Sequence, residues 1–355
     1  MRRLLRAAGV TALAGLLTGG VAHARPLLLI SIDGLRPGDV IEAEKRGLKV
    51  PNLRRFMTEG THADAVVGVL PTLTYPSHTS LITGVSPAKH GVVSNFTFDP
   101  TNINQLGWYW YANDIKVPTL WDAAHKAGKT TGNVHWPVSV GARGIDYNLP
   151  QIWRTGHEDD DKLLAALATP DLLPGLTAKL GAYAHGIDES ITGDENRARF
   201  VEAIIRDKKP YFMTAYFTAL DHEQHEKGPG TANAHAILER IDAIIGKVVA
   251  AERAAQPDAD IALVSDHGFA ETKYDINLYS AFIKAGLIRF DATGKVTGWD
   301  AAAWNSGGSL AVVLARPEDK ALHDKVAKLL AELKANPDAQ IDEIIEKPQI
   351  ETRGG

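Results

Sequence analysis

The sequence predicts an α/β fold with a doubly wound, mainly parallel sheet that is covered by helices on both faces. Three nearly continuous apolar runs, at residues 26–32, 211–220 and 261–265, indicate strands buried on both faces, as is typical of parallel sheets. Helical stretches lie between these runs. Residues 118–127 start with Pro-Thr and stop at a glycine, and residues 234–251 carry apolar side chains at helical spacing. Strands and helices in alternation predict a doubly wound domain.

A second, smaller unit is predicted after this core. We assign residues 25–273 to the core, and residues 274–340 differ in character, since a glycine-rich stretch leads into an apolar run and then a helix. We interpret this part as a small α+β subdomain, and its glycine pair as a plain turn rather than a phosphate-binding loop. Residues 341–355 are interpreted as the start of a return to the core. They show no closing strand pattern, so we expect a C-terminally truncated fragment.

Composition excludes several classes of function. The chain has 355 residues, of which 45% are hydrophobic and 23% are charged, which is enough for one large or two modest cores. Its formal net charge of −5 argues against nucleic-acid binding by bulk electrostatics. Because cysteine is absent, a metal would have to be held by Asp, Glu, His, hydroxyl groups or water.

The N-terminus has the pattern of a secretory signal. Arg2, Arg3 and Arg6 precede a small apolar stretch, which ends in Ala-His-Ala at residues 22–24. The apolar stretch is short for a membrane span, so we predict a cleaved signal over residues 1–24 rather than an anchor. The mature chain is then expected in the periplasm or outside the cell. The paired arginines leave a twin-arginine route open, and no other run is apolar enough to span a bilayer.

Three aspartates lie where the predicted strands end. Asp33, Asp221 and Asp266 follow the three apolar runs, and ligands of open α/β sheets bind at the carboxyl ends of the strands. His225 is four residues after Asp221, so both can face one side of a helical turn, and His267 adjoins Asp266. A single such aspartate is most often a turn former, but three with two histidines favour a metal site. Asp and His without Cys favour Zn²⁺ over Mn²⁺ or Mg²⁺.

Thr74 lies in the segment 71–78 (PTLTYPSH), for which two interpretations remain open. Thr72 or Thr74 could cap a helix predicted over residues 76–82, and spacing alone favours this role. Alternatively, the helix N-terminus could stabilise a bound phosphate, with the Thr74 hydroxyl as the nucleophile. A threonine hydroxyl is a poor nucleophile until a metal or a base activates it, so this second interpretation depends on the aspartates.

Six short segments carry a resemblance to a known family. They are residues 32–37 (IDGLRP), 72–78 (TLTYPSH), 90–95 (HGVVSN), Trp136-Pro137, Asp221 with His225, and 265–268 (SDHG). In this order they resemble the nucleotide pyrophosphatase/phosphodiesterases of the alkaline phosphatase superfamily. The resemblance covers residues 26–268, and it is specific because six individually weak segments occur in order. It implies an alkaline phosphatase-like fold.

The resemblance implies roles for the matching residues in substrate chemistry. Thr74 would be the nucleophile, and Asn95 would donate a hydrogen bond to a non-bridging phosphate oxygen. Tyr75 and Tyr216 would line the leaving-group pocket, although without the resemblance both are better interpreted as core aromatics. His78 and His90 match motif positions but are interpreted as structural. The aromatic residues 108–110 could form a substrate wall or simply pack.

The resemblance also implies two zinc ions. The ligands of the first would be Asp33, Thr74, Asp266 and His267, and those of the second would be Asp221 and His225. In the family, a further histidine from a late His-Gly element completes the second zinc site. The only histidine after His267 is His323, which lies in a predicted helix without a following glycine. We therefore expect the second ion to be bound weakly.

The expected reaction is hydrolysis of phosphodiester or pyrophosphate bonds in a small nucleotide-type substrate, through a phospho-threonine intermediate. A diester is favoured because a monoester dianion needs an additional cation, and Lys89 is the only lysine or arginine between Pro71 and Asn95. Phosphomonoesterase and phosphonate hydrolase activities remain as alternatives within the superfamily. A non-catalytic metal- or phosphate-binding protein is the alternative from another class. The sequence makes no prediction about the oligomeric state.

Overall fold

The core is a five-stranded sheet in which every neighbouring pair of strands is parallel. A computed structural model describes residues 24–101, 107–154 and 156–354. The strands run in the order β3-β2-β4-β1-β5. Their bounds are β1 Leu27–Ile32, β2 Thr131–Val134, β3 Tyr147–Leu149, β4 Phe212–Phe217 and β5 Asp260–Val264. The predicted α/β class is therefore confirmed, and the three predicted apolar runs supply the adjacent strands β4, β1 and β5.

Helices cover both faces of this sheet. They are α1 Pro37–Ile41, α2 Pro51–Glu59, α3 Thr74–Thr83, α4 Pro87–His90, α5 Leu120–Lys126, α6 Asp160–Leu167, α7 Leu172–Leu180, α8 Ile191–Lys208, α9 Ala219–Lys227 and α10 Ala232–Ala255. Alternate residues of β1 enter different apolar clusters. Ile30 belongs to the cluster that contains α8 and α10, whereas Leu29 packs with Ile82 of α3 and Trp121 of α5. Both clusters are needed because a parallel sheet has no solvent face.

Two predicted boundaries are corrected by the structure. The apolar run 211–220 is not one strand, because β4 ends at Phe217 and α9 begins at Ala219. Its last residues are apolar because Ala219 and Leu220 are buried in the first turn of that helix. Asp221 thus lies on a helix rather than at a strand end. The strands β2 and β3 were not predicted, since they are short and contain polar residues.

Side-chain caps mark the start of two helices that the sequence predicted. At α5, Thr119 and Asp122 form a reciprocal capping box, which matches the predicted Pro-Thr start. At α10, the Thr231 side chain accepts a hydrogen bond from the backbone of Ala234. The predicted helices over 118–127 and 234–251 therefore correspond to α5 and α10.

The C-terminal part forms two antiparallel hairpins and three helices. Its elements are α11 Leu278–Lys284, β6 Ile288–Phe290, β7 Val296–Trp299, β8 Ala301–Ser306, β9 Ser309–Leu314, α12 Lys320–Ala335 and α13 Lys347–Thr352. Phe282, Leu287 and Val326 help to form an apolar cluster distinct from those of the core. Gly307, with a φ of 64°, lies in the turn between β8 and β9, as the interpretation of a plain turn requires. These elements agree with an α+β subdomain.

The end of the described chain contacts the core again. The backbone oxygen of Gly354 accepts a hydrogen bond from Ala88 of α4 at 3.3 Å. Within the described ranges, no helix combines the length and the hydrophobicity that a membrane span requires. The predicted signal, residues 1–24, lies outside the described residues apart from Ala24, so cleavage and location stay predictions.

Candidate active site

Three acidic side chains meet at the carboxyl edge of the sheet. Asp33 directly follows β1, Asp266 follows β5, and Asp221 lies in the first turn of α9 after β4. Because these strands are neighbours, their ends converge at one point, as the sequence predicted. All three aspartates are buried. The structure therefore concentrates negative charge in a place that has little access to water.

His267 lies at the centre of this group. Its Nε2 atom is 3.3 Å from Asp33 Oδ1, 3.3 Å from Asp266 Oδ2 and 3.8 Å from Asp221 Oδ1. One ligand atom each from Asp33, Asp266 and His267 lies within 4.8 Å of the others, the only such group of three found among the described residues. These are the three residues that, with Thr74, were predicted to hold the first metal.

The structure corrects the helix-cap interpretation of Thr74. Helix α3 begins at Thr74, not at residue 76, and its N-cap is Leu73, which makes no side-chain capping bond. Thr72 directs its hydroxyl to the backbone oxygen of Val69 at 2.6 Å. The Thr74 hydroxyl lies 3.4 Å from His267 Nε2. Thr74 is therefore the first residue of the helix, and its hydroxyl lies beside His267 in the cluster of acidic side chains.

Asn95 lies beside the same helix end. Its Oδ1 atom accepts a hydrogen bond from the backbone nitrogen of Tyr75 at 2.9 Å. This bond holds the side chain by its acceptor atom and leaves the two amide N–H donors for another partner. An anion bound at the N-terminus of α3 would be such a partner, which agrees with the role that the resemblance implies.

The two tyrosines predicted to line a leaving-group pocket are both 1% exposed. The Tyr216 hydroxyl donates a hydrogen bond to Asp33 Oδ2. Tyr75 packs against Trp108, with ring centroids 5.3 Å apart, and Trp108 stacks on Trp153 at 4.6 Å. In this structure, Tyr216 therefore supports a candidate metal ligand, and its contact with substrate stays a prediction.

Asp221 and His225 are the residues predicted to hold a second ion. They lie one turn apart on α9, with 3.5 Å between Asp221 Oδ2 and His225 Nε2, so the predicted helical spacing is present. The His225 ring packs edge-on against Phe269, with centroids 4.8 Å apart. His323 lies on α12, where it pairs with Glu346 at 3.2 Å. His323 therefore has a partner outside the site, which is consistent with its omission from the predicted metal ligands.

The loops that carry these residues are tied to one another. The Ser265 hydroxyl accepts a hydrogen bond from the backbone of Leu35 at 3.0 Å and donates one to the backbone oxygen of His267 at 2.7 Å. Gln224 of α9 donates to the backbone oxygen of Gly34 at 2.9 Å. Gly34 has a φ of 66°, and a Cβ atom there would lie 2.9 Å from Gln224 Nε2. The turn after Asp33 thus needs glycine.

His78 and His90 have structural contacts, as the sequence indicated. His78 bonds through Nδ1 to the backbone oxygen of Thr74 at 2.8 Å and through Nε2 to the Ser31 hydroxyl at 2.9 Å. His90 bonds to the Ser80 hydroxyl at 2.9 Å. Burial lowers the pKa of His78 and lowers that of His90 to about 4. Both rings therefore stay neutral at physiological pH and hold α3 in position.

The negative charges of Asp33, Asp221 and Asp266 are suited to binding a divalent cation. Burial, and then the charges of Asp221 and Asp266, raise the pKa of Asp33 well above its usual value. Burial also raises the pKa of Asp221 to about 6. Asp33 Oδ1, Asp221 Oδ1 and Asp266 Oδ2 are buried and receive no hydrogen bond from the described residues. A cation held between them would remove the repulsion and satisfy these orphaned oxygens.

Sequence reasoning missed a group of residues around α9. Asp194 and Arg197 of α8 are 0% exposed and form an ion pair at 2.8 Å, and Asp194 accepts hydrogen bonds from the start of α9. Glu189 approaches His222 of α9 at 3.6 Å. Burial, and to a smaller extent the charge of Asp221, raises the pKa of Glu189 to about 7. The available signal was an Asp-x-x-Arg pair inside an otherwise apolar helix face.

Comparison with known proteins agrees with this geometry. The sequence profile of the type I phosphodiesterase / nucleotide pyrophosphatase family matches residues 27–353. The chain belongs to this family. The predicted family is thereby confirmed. The family is metal-dependent, and Asp33, Asp266 and His267 form a group that could hold a metal ion.

Curated relatives carry the same name or related ones. The chain is 26% identical over 255 residues to an uncharacterized pyrophosphatase/phosphodiesterase of Schizosaccharomyces pombe, covering 69% of this chain and 45% of that protein. It is 24% identical over 257 residues to human ectonucleotide pyrophosphatase/phosphodiesterase family member 1, covering 69% and 24%. It is 26% identical over 260 residues to human bis(5′-adenosyl)-triphosphatase, covering 72% and 50%. The chain thus spans half or less of the length of these relatives.

Solved structures share the fold. Murine ectonucleotide pyrophosphatase/phosphodiesterase 5, an inactive variant in complex with AMP, superposes with a TM-score of 0.56 at 18% identity, covering 86% of this chain and 70% of that one. Phosphonoacetate hydrolase from Sinorhizobium meliloti 1021, in complex with phosphonoformate, gives 0.60 at 20% identity, covering 88% and 73%. These similarities confirm the alkaline phosphatase-like architecture.

Proposed function

We propose that this chain is a secreted, zinc-dependent hydrolase of phosphodiester or pyrophosphate bonds in nucleotide-type substrates, with Thr74 as its nucleophile. The observation that carries the proposal is the 3.4 Å approach of the Thr74 hydroxyl to His267, beside the carboxylates of Asp33 and Asp266. Family membership and the names of the relatives support a hydrolase of phosphoric esters or anhydrides. The basic, apolar and Ala-His-Ala pattern of residues 1–24 supports export.

The donor set supports zinc as the metal. Asp33, Thr74, Asp266 and His267 would hold one ion, and Asp221 with His225 would hold the other. Carboxylate and imidazole donors without thiolates suit zinc, although manganese also accepts them. When bound, zinc would stabilise charge on phosphate oxygens and lower the pKa of a neighbouring hydroxyl group.

The chain's own residues account for two displacement steps. In the first, Thr74 Oγ1 loses its proton to solvent and bonds to phosphorus, while the bond from phosphorus to the departing oxygen breaks. The departing oxygen keeps the electron pair and takes up a proton. In the second, water attacks phosphorus, the bond to Thr74 Oγ1 breaks, and the threonine hydroxyl forms again. Asn95 and the N-terminus of α3 stabilise the negative oxygens throughout.

A substrate panel tests the proposal and its alternatives. We expect the purified chain with zinc to release p-nitrophenol from the p-nitrophenyl ester of thymidine monophosphate with a higher kcat/KM than from p-nitrophenyl phosphate. Thr74→Ala should abolish this release, whereas Thr58→Ala, at an exposed threonine of α2, should not change it. A preference for the monoester or for phosphonoacetate would replace the diesterase assignment. Absence of turnover on all three would favour a binding protein.

A further inference from the structure

Helix α9 carries both residues that we propose as ligands of the second ion, but its own N-cap residue does not stabilise its start. It has nine residues, and its N-cap residue Thr218 makes no side-chain capping bond. An uncapped helix leaves backbone N–H groups without partners at its start, where burial makes them costly. Asp221 lies within this first turn and His225 one turn later. The orientation of both ligands therefore depends on what holds the start of α9.

Asp194, from a different helix, supplies the missing cap. Its Oδ2 atom accepts hydrogen bonds from the backbone nitrogens of Thr218 at 3.0 Å and Ala219 at 2.9 Å. Its Oδ1 atom accepts a bond from Arg197 Nη1 at 2.8 Å. A carboxylate at a helix start is favoured by the helix dipole as well as by these bonds. Asp194 thus plays the N-cap role for a helix that begins 25 residues later.

Arg197 connects this cap to a second contact on α9. Its Nη2 atom donates hydrogen bonds to the backbone oxygens of Ile187 and Asp188, the latter at 2.6 Å. The next residue, Glu189, places its carboxylate 3.6 Å from Nδ1 of His222 on α9. Arg197 therefore holds the loop that contacts α9 beside Asp221, while Asp194 holds the end of the helix.

We propose that the buried Asp194–Arg197 pair positions Asp221 and His225 and thereby sets the affinity of the second metal. The proposal rests on the two-metal site of the proposed function, but it concerns metal binding rather than turnover. Neither residue touches substrate or metal, so both are positioning residues. Many buried ion pairs can be replaced by well-packed apolar groups without loss of stability. This pair differs because it also bonds to four backbone groups, two in the loop before α8 and two at the start of α9.

The test measures zinc stoichiometry and affinity in the full chain by equilibrium dialysis. Loss of a residue bonded directly to a metal ligand typically lowers metal affinity by about 10- to 100-fold, and Asp194 and Arg197 act one contact further away, so the lower end of this range applies. We expect Asp194→Asn and Arg197→Lys to weaken the second zinc by about tenfold or more, with the first zinc unchanged. His225→Ala identifies the binding step that belongs to α9. The matched control is Asp207→Asn. Asp207 also lies on α8, and the substitution breaks an exposed ion pair in which Asp207 Oδ2 is 2.7 Å from Lys179 Nζ.

The first zinc serves as an internal check on folding, because none of the hydrogen bonds and ion pairs of Asp194 among the described residues involves Asp33, Asp266 or His267. An equal loss of affinity for both zinc ions would indicate general destabilisation and overturn the proposal. Unchanged affinity in both variants would overturn it as well. So would a chain that binds a single zinc regardless of His225→Ala, since there would be no α9 ion to position. None of these outcomes depends on whether the chain turns over a substrate.

Discussion

The Nε2 atom of His267 lies 3.4 Å from the hydroxyl oxygen of Thr74, although 193 positions separate the two residues in the chain. This contact joins the start of α3 to the loop after β5. It places the Thr74 hydroxyl beside the residues that are best suited to hold a cation. The proposed role of Thr74 as nucleophile depends on this contact, because the same residue in isolation would be an ordinary helix start.

Metal binding should divide into a strong and a weak step. Asp266→Asn and His267→Ala each remove a ligand from the group whose atoms lie within 4.8 Å, so we expect loss of the tightly bound ion. His225→Ala should remove only the weak one. Saturating zinc should also stabilise the wild type, by about 2.7 kcal/mol at 100 times the dissociation constant. Isothermal titration and thermal unfolding measure both effects, and one uniform class of sites would contradict the division.

Asn95 should act through its amide donors. Asn95→Ala loses them, and removal of one such donor typically lowers kcat by about 10²- to 10³-fold. Asn95→Asp is the informative companion variant, because it keeps an acceptor for the Tyr75 backbone nitrogen but has no donor for phosphate. We expect both variants to lose kcat similarly in steady-state assays. Full activity of Asn95→Asp would show that the backbone contact is the important one.

Tyr216→Phe separates support of a ligand from contact with substrate. The variant removes the hydroxyl that bonds to Asp33 and leaves the ring in place. If Tyr216 orients Asp33, zinc affinity should fall by about tenfold while KM at saturating zinc stays unchanged. A rise in KM with unaltered zinc affinity would instead favour the leaving-group pocket that the family resemblance implies. Metal titration and kinetics on the same preparation give both values.

His90 should make the folded chain sensitive to acid. Burial lowers the pKa of His90 from its ordinary value of 6.5 to about 4 in the folded chain. As the pH falls below 6.5, this histidine is therefore protonated in the unfolded chain before it is protonated in the folded chain. Stability should therefore decrease between pH 6.5 and 4, by at most about 3 kcal/mol from this residue. His90→Asn, which keeps an acceptor for the Val92 backbone nitrogen, should show a shallower decrease in urea unfolding.

The control for this pH effect is His62→Asn at an exposed position. Its stability should follow the wild-type curve. Burial also lowers the pKa values of His78 and His135, so both contribute to the pH dependence of stability. Only the difference between variant and wild type therefore reports on His90. Identical slopes for wild type and His90→Asn would show that His90 is not held neutral by its surroundings.

The sequence was sufficient for the parts of the site that follow from strand order. Parallel strands align their carboxyl ends, so aspartates after apolar runs were expected to meet, and Asp33 and Asp266 do. The spacing of Asp221 and His225 also predicted correctly that both lie on one helix. Local rules failed at Thr74, because helix α3 begins at Thr74 after Leu73, whose side chain cannot cap the helix. The Tyr75 N–H at this helix end bonds instead to Asn95, which lies 20 positions further along the chain.

Long-range polar contacts account for what the sequence did not indicate. Asp194 caps a helix 25 positions away, and Tyr216 donates to Asp33 across 183 positions. Neither contact follows from periodicity or local spacing, because each depends on which strands and helices become neighbours. A charged pair on an apolar helix face shows only that some buried partner must exist. The structure identifies that partner as the backbone at the start of α9.

The most direct test of the account is covalent trapping at Thr74. The zinc-loaded chain is mixed with the p-nitrophenyl ester of thymidine monophosphate, quenched in acid and analysed by peptide mass spectrometry. We predict a nucleotidyl adduct on Thr74 in the wild type, and neither adduct nor turnover in Thr74→Ala. Thr58→Ala, at an exposed threonine, should behave as the wild type. Turnover that persists in Thr74→Ala, or an adduct on another residue, would contradict the account.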